Sequence, residues 1–330
     1  RIGNKMTSIE DAVATIMPGD VVHVAPYSTT PYSLCAGLKM RVQRGDLSGI
    51  RVDHPAAFFS WTDEGMVGAV ELHDNYATPP NRAACHAGEM EYLPVGIWQS
   101  YEIPVGFHQN PDVFLVPVSP PDEQGFCSFG HGVWLSKAVA RRAKRIIAEI
   151  RPDFIRTFGD NYIHVDEIDL FVEADPTDGA NLEAPEPSAE EVAQVEVINT
   201  LVAAELVNDG DTLQMGVGTV SGALANYLGF RNDLGIQTEL ITGGVAALVA
   251  QGVVTGARKS LNRHKVVGSA CVALDQEELN QIHMNPHFEL YDFGYTDDLR
   301  HLIQQENFVA VNNALIVDLT GQVSAEALDH

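Results

Sequence analysis

The chain has 330 residues, 45% hydrophobic and 20% charged, which is an ordinary composition for a soluble globular protein of about two domains. Its formal net charge of −25 excludes a surface built for nucleic acid or anionic lipid, because both need clustered Lys and Arg. An anionic ligand must therefore be held locally, by backbone amides or a few placed cations. Cys35, Cys85, Cys127 and Cys271 form no CxxC pair, which predicts small buried hydrophobes in a reducing compartment rather than a disulfide framework. No run of about 18 apolar residues occurs and the first residues lack a signal-peptide pattern, so the expected location is the cytoplasm.

In chain order, Ile9-Glu-Asp-Ala-Val-Ala-Thr-Ile16 has a helical pattern with Ser8 as its N-cap and a stop at Pro18-Gly19-Asp20. Val21-Val-His-Val-Ala25 reads as a strand, followed by the loop Pro26-Tyr-Ser-Thr-Thr-Pro31 and an apolar helix around Leu34 and Leu38. Val113-Phe-Leu-Val-Pro-Val118 is the clearest further strand, and the proline-rich Ser119-Pro-Pro-Asp-Glu-Gln-Gly125 is a turn. A long helix is expected over 134–148, with Arg141, Arg142, Lys144 and Arg145 as a solvated face. Ile155-Arg-Thr-Phe-Gly-Asp-Asn-Tyr-Ile-His164 reads as a loop whose Arg156, Asp160 and His164 are candidates to line a cleft. A lone His, however, is more often structural. The Pro-, Ala- and Glu-rich stretch 175–191 carries the interdomain linker, placed at 181–191.

Beyond the linker the opening pattern returns. Val197-Ile-Asn-Thr-Leu-Val-Ala-Ala-Glu-Leu206 is helical, Asp209-Gly-Asp211 ends it, Thr212-Leu-Gln-Met215 is a strand, and Ala223-Leu-Ala-Asn-Tyr-Leu228 is the next helix. Asp20 and Asp211 mark an offset of 191 residues, so the expectation is two α/β halves of one design, residues 1–180 and 192–330. The halves differ in their loops. The second has Gly216, Gly218 and Gly222, which let a backbone approach a ligand and turn its amides toward an anion. Ile236-Gln-Thr-Glu-Leu-Ile-Thr-Gly-Gly-Val245 then reads as strand, tight turn and helix start, and Glu239 lies at the strand end, where parallel sheets meet ligands.

Two chemistries fit that pairing. One is a dinucleotide site in which Glu239 binds a ribose hydroxyl, the site of a nicotinamide-dependent oxidoreductase. The other makes Glu239 a nucleophile toward an activated acyl group, with glycine-loop amides stabilising the oxyanion. Composition and spacing do not choose between them.

Five segments carry a resemblance. They are Val118-Ser-Pro-Pro-Asp-Glu-Gln-Gly-Phe-Cys-Ser128, Arg156-Thr-Phe-Gly-Asp-Asn-Tyr-Ile-His164, Leu213-Gln-Met-Gly-Val-Gly218, Asp233-Leu-Gly-Ile-Gln-Thr-Glu-Leu240 and Val317-Asp-Leu-Thr-Gly-Gln-Val323. In this order they resemble the acetyl-CoA hydrolase/transferase family, class I CoA-transferases that include 4-hydroxybutyrate and butyrate:acetate CoA-transferases. The resemblance implies two NagB/RpiA-like open α/β domains with the active site in the interdomain cleft. It implies coenzyme A, carried as acyl-CoA, and a small carboxylic acid as substrates, no metal, and a homodimer or higher homo-oligomer. By position, Glu239 matches the nucleophile that forms a glutamyl-CoA thioester. Gly216, Val217 and Gly218 match the loop that approaches the thioester, and Gly243 and Gly244 leave room for pantetheine. Asp160 and His164 are candidates for substrate binding, together with Phe158, which stands where relatives usually carry His and so suggests a more apolar acyl chain. Ser28-Thr-Thr30 lacks the glycines that relatives often show there. Relatives also continue past the region of Gly321-Gln322 with a segment that completes the second domain. Here that segment is expected to be cleaved, unobserved or supplied by a second chain. A hydrolase using the same glutamate and a non-catalytic subunit of a CoA-transferase complex are the related alternatives.

Overall fold

In the computed structural model, which describes residues 2–96, 110–175 and 188–325, the Gly-Asp corner is built twice in the same way. Asp20 Oδ2 accepts from Met17 N at 2.9 Å, and Asp211 Oδ2 accepts from Asn208 N at 2.7 Å. Gly19 and Gly210 take φ of +90° and +87°, a conformation that suits glycine, and each corner feeds a strand. The chain divides into two units, Arg1–Glu183 with Leu290–Gly294, and Ala184–Glu289 with Tyr295–His330.

The first unit contains β1 (Val21–Val24), β2 (Ile50–Asp53), β3 (Val70–Asp74), β4 (Glu91–Tyr92), β5 (Val113–Val118), β6 (Phe126–Ser128), β7 (Ile146–Ile150), β8 (Phe158–Gly159), β9 (Tyr162–His164) and β10 (Leu170–Glu173). Seven of these form one sheet in the order β10-β7-β5-β1-β2-β3-β4, with every adjacent pair parallel. Each residue of β5 is buried, as a strand covered on both faces requires. Ser8 caps the helix Ile9–Ala14 as expected, its Oγ accepting from Asp11 N at 3.0 Å. The helix Tyr32–Gln43 buries Leu34, Cys35 and Leu38 in a core shared with Val22, Val24, Val52 and Leu115.

Three local expectations need correction. The long helix over 134–148 is a short one, Ser136–Ala140, followed by a turn and then β7. Ile146, Ile147 and Ala148 are buried between β5 and β10, and packing on both faces of a sheet outweighs the helical spacing of the basic residues before them. Those basic residues fall largely in the turn, where Lys144 pairs with Asp112 at 2.6 Å and Arg145 with Asp20 at 3.5 Å. The supposed loop 155–164 holds β8 and β9, the latter antiparallel to β6. The stretch taken as linker lies outside the described residues over 176–187. From Ser188 onward it is a capped helix, Ala189–Leu201, in which Ser188 Oγ and the Glu191 carboxylate each satisfy a backbone amide of the other.

The second unit contains β11 (Thr212–Met215), β12 (Gly235–Gln237), β13 (Leu240–Ile241), β14 (Val266–Gly268), β15 (Ala270–Cys271), β16 (Phe288–Leu290), β17 (Phe308–Val311), β18 (Ile316–Val317) and β19 (Val323–Ser324). Within its sheet β17, β11, β12 and β14 are adjacent in that order and parallel, so β11 lies between β17 and β12 as β1 lies between β5 and β2. The repeat is thus a repeat of strand order as well as of pattern.

Candidate active site

Register decides what meets at the carboxyl edge of the second sheet. Thr212 pairs with Gly235 and Leu213 with Ile236, so continuing the ladder sets Met215 level with Thr238 and Gly216 level with Glu239. Thr238 fixes that level, for its Oγ1 accepts from Met215 N at 3.2 Å and lies 3.1 Å from Met215 O. On the outer side Met215 pairs with Val311, which puts Asn312 beside Gly216. On the inner side Gln237 pairs with Val267, and Ser269 N donates to Glu239 O at 2.7 Å. Asn312, Gly216, Glu239 and Ser269 therefore form a row across four strand ends, neighbours being about 5 Å apart.

Glu239 stands at a break rather than at a final strand end. β12 stops at Gln237, β14 stops at Gly268, and the two chains resume pairing as β13 and β15. The Glu239 carbonyl accepts from both Ser269 N and Ala270 N, which ties the residue's backbone to the neighbouring strand. Its carboxyl makes no hydrogen bond among the described residues. Burial pushes that carboxyl above the usual carboxylate range, and the nearby negative charge of Asp297 pushes it further. Burial raises Asp297 as well, against a hydrogen bond from Thr296 Oγ1 at 3.0 Å.

The neighbouring loop is open on its amide side. Gly216 N is used by Val311 O, whereas Val217 N and Gly218 N make no hydrogen bond among the described residues. The loop leads into a 3-10 helix, Ser221–Tyr227, not an α-helix whose first turn faces the glycines, so the dinucleotide geometry is not formed. The glycines also have a structural reason that spacing alone did not give. A Cβ on Gly216 would lie 2.5 Å from Asn312 Oδ1, and one on Gly218, at φ +112°, would overlap Asn313 Nδ2.

The remaining expected residues have other partners. Gly244, at φ +89°, donates its amide to Glu278 Oε1 at 2.6 Å and starts the helix Val245–Ala250, while Gly243 packs against Ala273 O. In the first unit, Phe158 is 39% exposed. Asp160 pairs with Lys137 at 2.7 Å and Arg141 at 3.4 Å. His164 caps the 3-10 turn Val165–Glu167, with Nδ1 accepting from Asp166 N and Nε2 3.2 Å from Gln124 O. Arg156 is likewise engaged, donating to Pro120 O at 2.5 Å and pairing with Asp122 at 3.5 Å. Burial pushes the Cys127 and Cys271 thiols up to about 12, as inert packing residues would be. Among the described residues no group of three or more His, Cys, Asp or Glu is arranged to hold a metal, and no helix is long and apolar enough to cross a membrane. A cavity in the first unit, lined by Gly19, Gly49, Arg51, Gly68, Glu71 and Gly88, opens at the amino ends of its strands and contains none of the expected site residues.

Sequence reasoning missed Asn312, Asn313 and Asp297. Two adjacent asparagines just after an apolar strand are a signal for side chains reaching backbone across a sheet edge, a use that short amides favour. Asp297 gave no local signal, because its relation to Glu239 spans 58 residues of sequence.

Comparison with known proteins converges on one family. The profile of the Acetyl-CoA hydrolase/transferase N-terminal domain matches residues 3–180, and that of the corresponding C-terminal domain matches residues 275–330. A 4-hydroxybutyrate coenzyme A transferase of Clostridium kluyveri is 31% identical over 98% of this chain and 74% of its own length. A succinyl-CoA:cyclohexane-1-carboxylate CoA transferase of Geobacter metallireducens is 31% identical over 99% of this chain and 72% of its own. RipA from Yersinia pestis superposes with a TM-score of 0.87 at 28% identity, covering 98% of this chain and 76% of RipA. A 4-hydroxybutyrate CoA-transferase from Porphyromonas gingivalis does so with a TM-score of 0.77 at 26% identity, covering 97% and 76%.

Proposed function

This chain belongs to the acetyl-CoA hydrolase/transferase family, and from that premise we propose that it moves coenzyme A between a short-chain acyl-CoA and a carboxylic acid, with Glu239 as nucleophile. The observation that carries this reading is a half-buried carboxyl without a hydrogen-bond partner among the described residues, level with a loop whose Val217 and Gly218 amides make no hydrogen bond among them. A carboxylate is a weak nucleophile in water. Desolvated and held about 3 Å from a carbonyl carbon, it becomes a competent one.

That pairing sets the order of steps. The Glu239 carboxylate attacks the thioester carbonyl, and the oxyanion that forms takes hydrogen bonds from the Val217 and Gly218 amides. Collapse expels CoA thiolate and leaves a mixed anhydride between Glu239 and the acyl group. The thiolate then attacks the glutamyl carbonyl, releasing the donor's carboxylate and leaving a glutamyl-CoA thioester. An incoming carboxylate reverses both steps and departs as the new acyl-CoA. The same thioester opened by water is hydrolysis, so the ratio of transfer to hydrolysis measures how well water is kept out. Phe158 belongs to this reading as a residue favouring a less polar acyl chain. A cytoplasmic homodimer or higher homo-oligomer is the assembly we assign.

Initial rates of CoA transfer from butyryl-CoA to acetate test the proposal, with wild type compared against Glu239→Ala. Loss of a covalent nucleophile should lower the rate by at least about a thousandfold. Activity in the variant above that level means that Glu239 is not the attacking group.

A further inference from the structure

The loop that offers its amides is held in place from outside, by the end of β17. Val217 O accepts from Asn313 Nδ2 at 2.8 Å and from Ser221 Oγ at 3.1 Å. The other half of the same amide, Asn313 Oδ1, accepts from Ser221 N at 3.1 Å. This pair of partners fixes the orientation of the Asn313 amide, since a carbonyl faces its nitrogen and an N–H faces its oxygen. One side chain thus bridges the start and the end of the 217–221 loop. Its neighbour Asn312 anchors the strand below, exchanging two hydrogen bonds with Gln214, 3.1 Å from Gln214 Nε2 to Asn312 Oδ1 and 2.9 Å from Asn312 Nδ2 to Gln214 Oε1.

Planarity turns this clamp into an aim. In a trans peptide the C=O and the following N–H point in opposite directions, so two bonds on Val217 O leave the Gly218 N–H directed away from Asn313. The Val217 N–H lies between two fixed points, Gly216 N on Val311 O and the doubly held Val217 carbonyl. Gly218 is required for the arrangement, because φ +112° suits glycine and a Cβ there would occupy the place of the Asn313 amide.

We propose that Asn313 is a positioning residue for the reaction: it sets the direction of the Val217 and Gly218 amides toward the charge that develops beside Glu239. The inference rests on the nucleophilic reading of Glu239. Asn313 itself touches no reacting atom, so its contribution appears in the step where charge develops and not in binding the rest of the acyl-CoA.

The test is Asn313→Asp, which keeps the Oδ1 acceptor for Ser221 N but sets an oxygen against Val217 O in place of the donor. Steady-state rates with butyryl-CoA and acetate, normalised to the fraction of Glu239 trapped as thioester, should show kcat lower by about 10–100-fold, within the range for disturbed oxyanion donors. KM for butyryl-CoA should change less than about threefold. A kcat within about twofold of wild type overturns the proposal, whatever happens to KM. If Asn313→Asp does not fold, Ser221→Ala removes the second donor to Val217 O. It should lower kcat by about threefold or more with KM unchanged, and an unchanged kcat there overturns the proposal equally. Glu239→Ala, measured alongside, separates the two failures. An active Glu239→Ala sinks the nucleophilic reading, whereas an inactive Glu239→Ala with a normal Asn313→Asp sinks only this inference.

Discussion

The loop after β1 and the loop after β11 occupy the same place in two copies of one unit, yet they are held in opposite ways. In the first copy the loop turns its donors inward. Thr29 and Thr30 give their amides to Pro26 O and Tyr27 O, and their hydroxyls go to the same two carbonyls at 2.7 and 2.8 Å. Thr30 Oγ1 also lies 3.2 Å from His54 Nε2. Trp61 Nε1 donates to His54 Nδ1 at 2.9 Å, so Nε2 carries the ring's proton, and burial keeps the ring neutral by pushing it down to about 3. In the second copy the loop is held by Asn313 on its carbonyl side, and two of its amides make no hydrogen bond among the described residues.

The acid differs in the same sense. Val21 pairs with Arg51 as Thr212 pairs with Gly235, so the residue of the first copy that corresponds to Glu239 is Pro55. His54 and Thr238, one residue earlier, both reach back to the neighbouring strand or its loop. The two copies share the brace and differ at the next position, proline in one and glutamate in the other. On the proposed mechanism the chemistry lies beside the loop whose donors are unused among the described residues, and the loop that satisfies itself is scaffold.

Substitutions at matched positions put this contrast at risk. The largest effect is expected at Glu239. Glu239→Gln should lower transfer by about a thousandfold while raising stability, because a half-buried carboxyl whose proton is held above the usual range is destabilising once ionised. The sign comes from the folded state's binding the proton more tightly than the unfolded state does. Wild type loses stability relative to the variant as pH rises from the unfolded carboxylate range through the raised one. Thermal melts should therefore favour Glu239→Gln by on the order of 1–3 kcal/mol at pH 8, with the advantage vanishing toward pH 4. No such gain is expected from Pro55→Ala.

Gly218→Ala comes next, at roughly a hundredfold loss in kcat, since the new Cβ displaces Asn313 and φ +112° is strained. Its counterpart by position is Tyr27, and the exposed Ser28 beside it should tolerate Ser28→Ala within about twofold in rate.

Third, kcat should rise with pH about tenfold per unit on an acid limb that lies above the ordinary carboxylate range, because only the ionised Glu239 attacks. Asp297→Asn removes the neighbouring negative charge and should move that limb to lower pH. A pH–rate profile of both proteins checks the direction.

The smallest kinetic effect is expected from Thr30→Val in the first copy. It leaves the His54 ring without its hydroxyl partner and should cost about 1–2 kcal/mol in stability, read by denaturant unfolding, with kcat within about twofold.

The two-copy design and the strand that carries Glu239 were both legible in the sequence, and for a physical reason. Gly19-Asp20 and Gly210-Asp211 are local turns whose residues carry their own conformation, and the alternation around Ile236 marks a strand wherever it packs. The split of 134–148 into a helix and β7 was not legible, because the choice between helix and strand for Ile146-Ile-Ala-Glu-Ile150 is made by β5 and β10. Gly216 and Gly218 were legible as glycines with a purpose, but only part of that purpose could be read. Their room is taken by Asn312 and Asn313, nearly a hundred residues away, and local pattern carries no trace of such a contact. Asp160 and His164 were attractive as polar residues in a motif, and the structure gives both of them ordinary structural partners.

The most direct test of Glu239 as nucleophile is to trap the intermediate. The protein is incubated with butyryl-CoA without an acceptor acid, treated with borohydride, digested, and the peptide containing Glu239 is sequenced by mass spectrometry. Glu239 should be recovered with its side chain reduced to the alcohol, as a thioester there requires, and acetate added before borohydride should abolish the change. Recovery of an unmodified Glu239 from protein that turns over normally, or reduction at another carboxylate, would contradict the covalent mechanism.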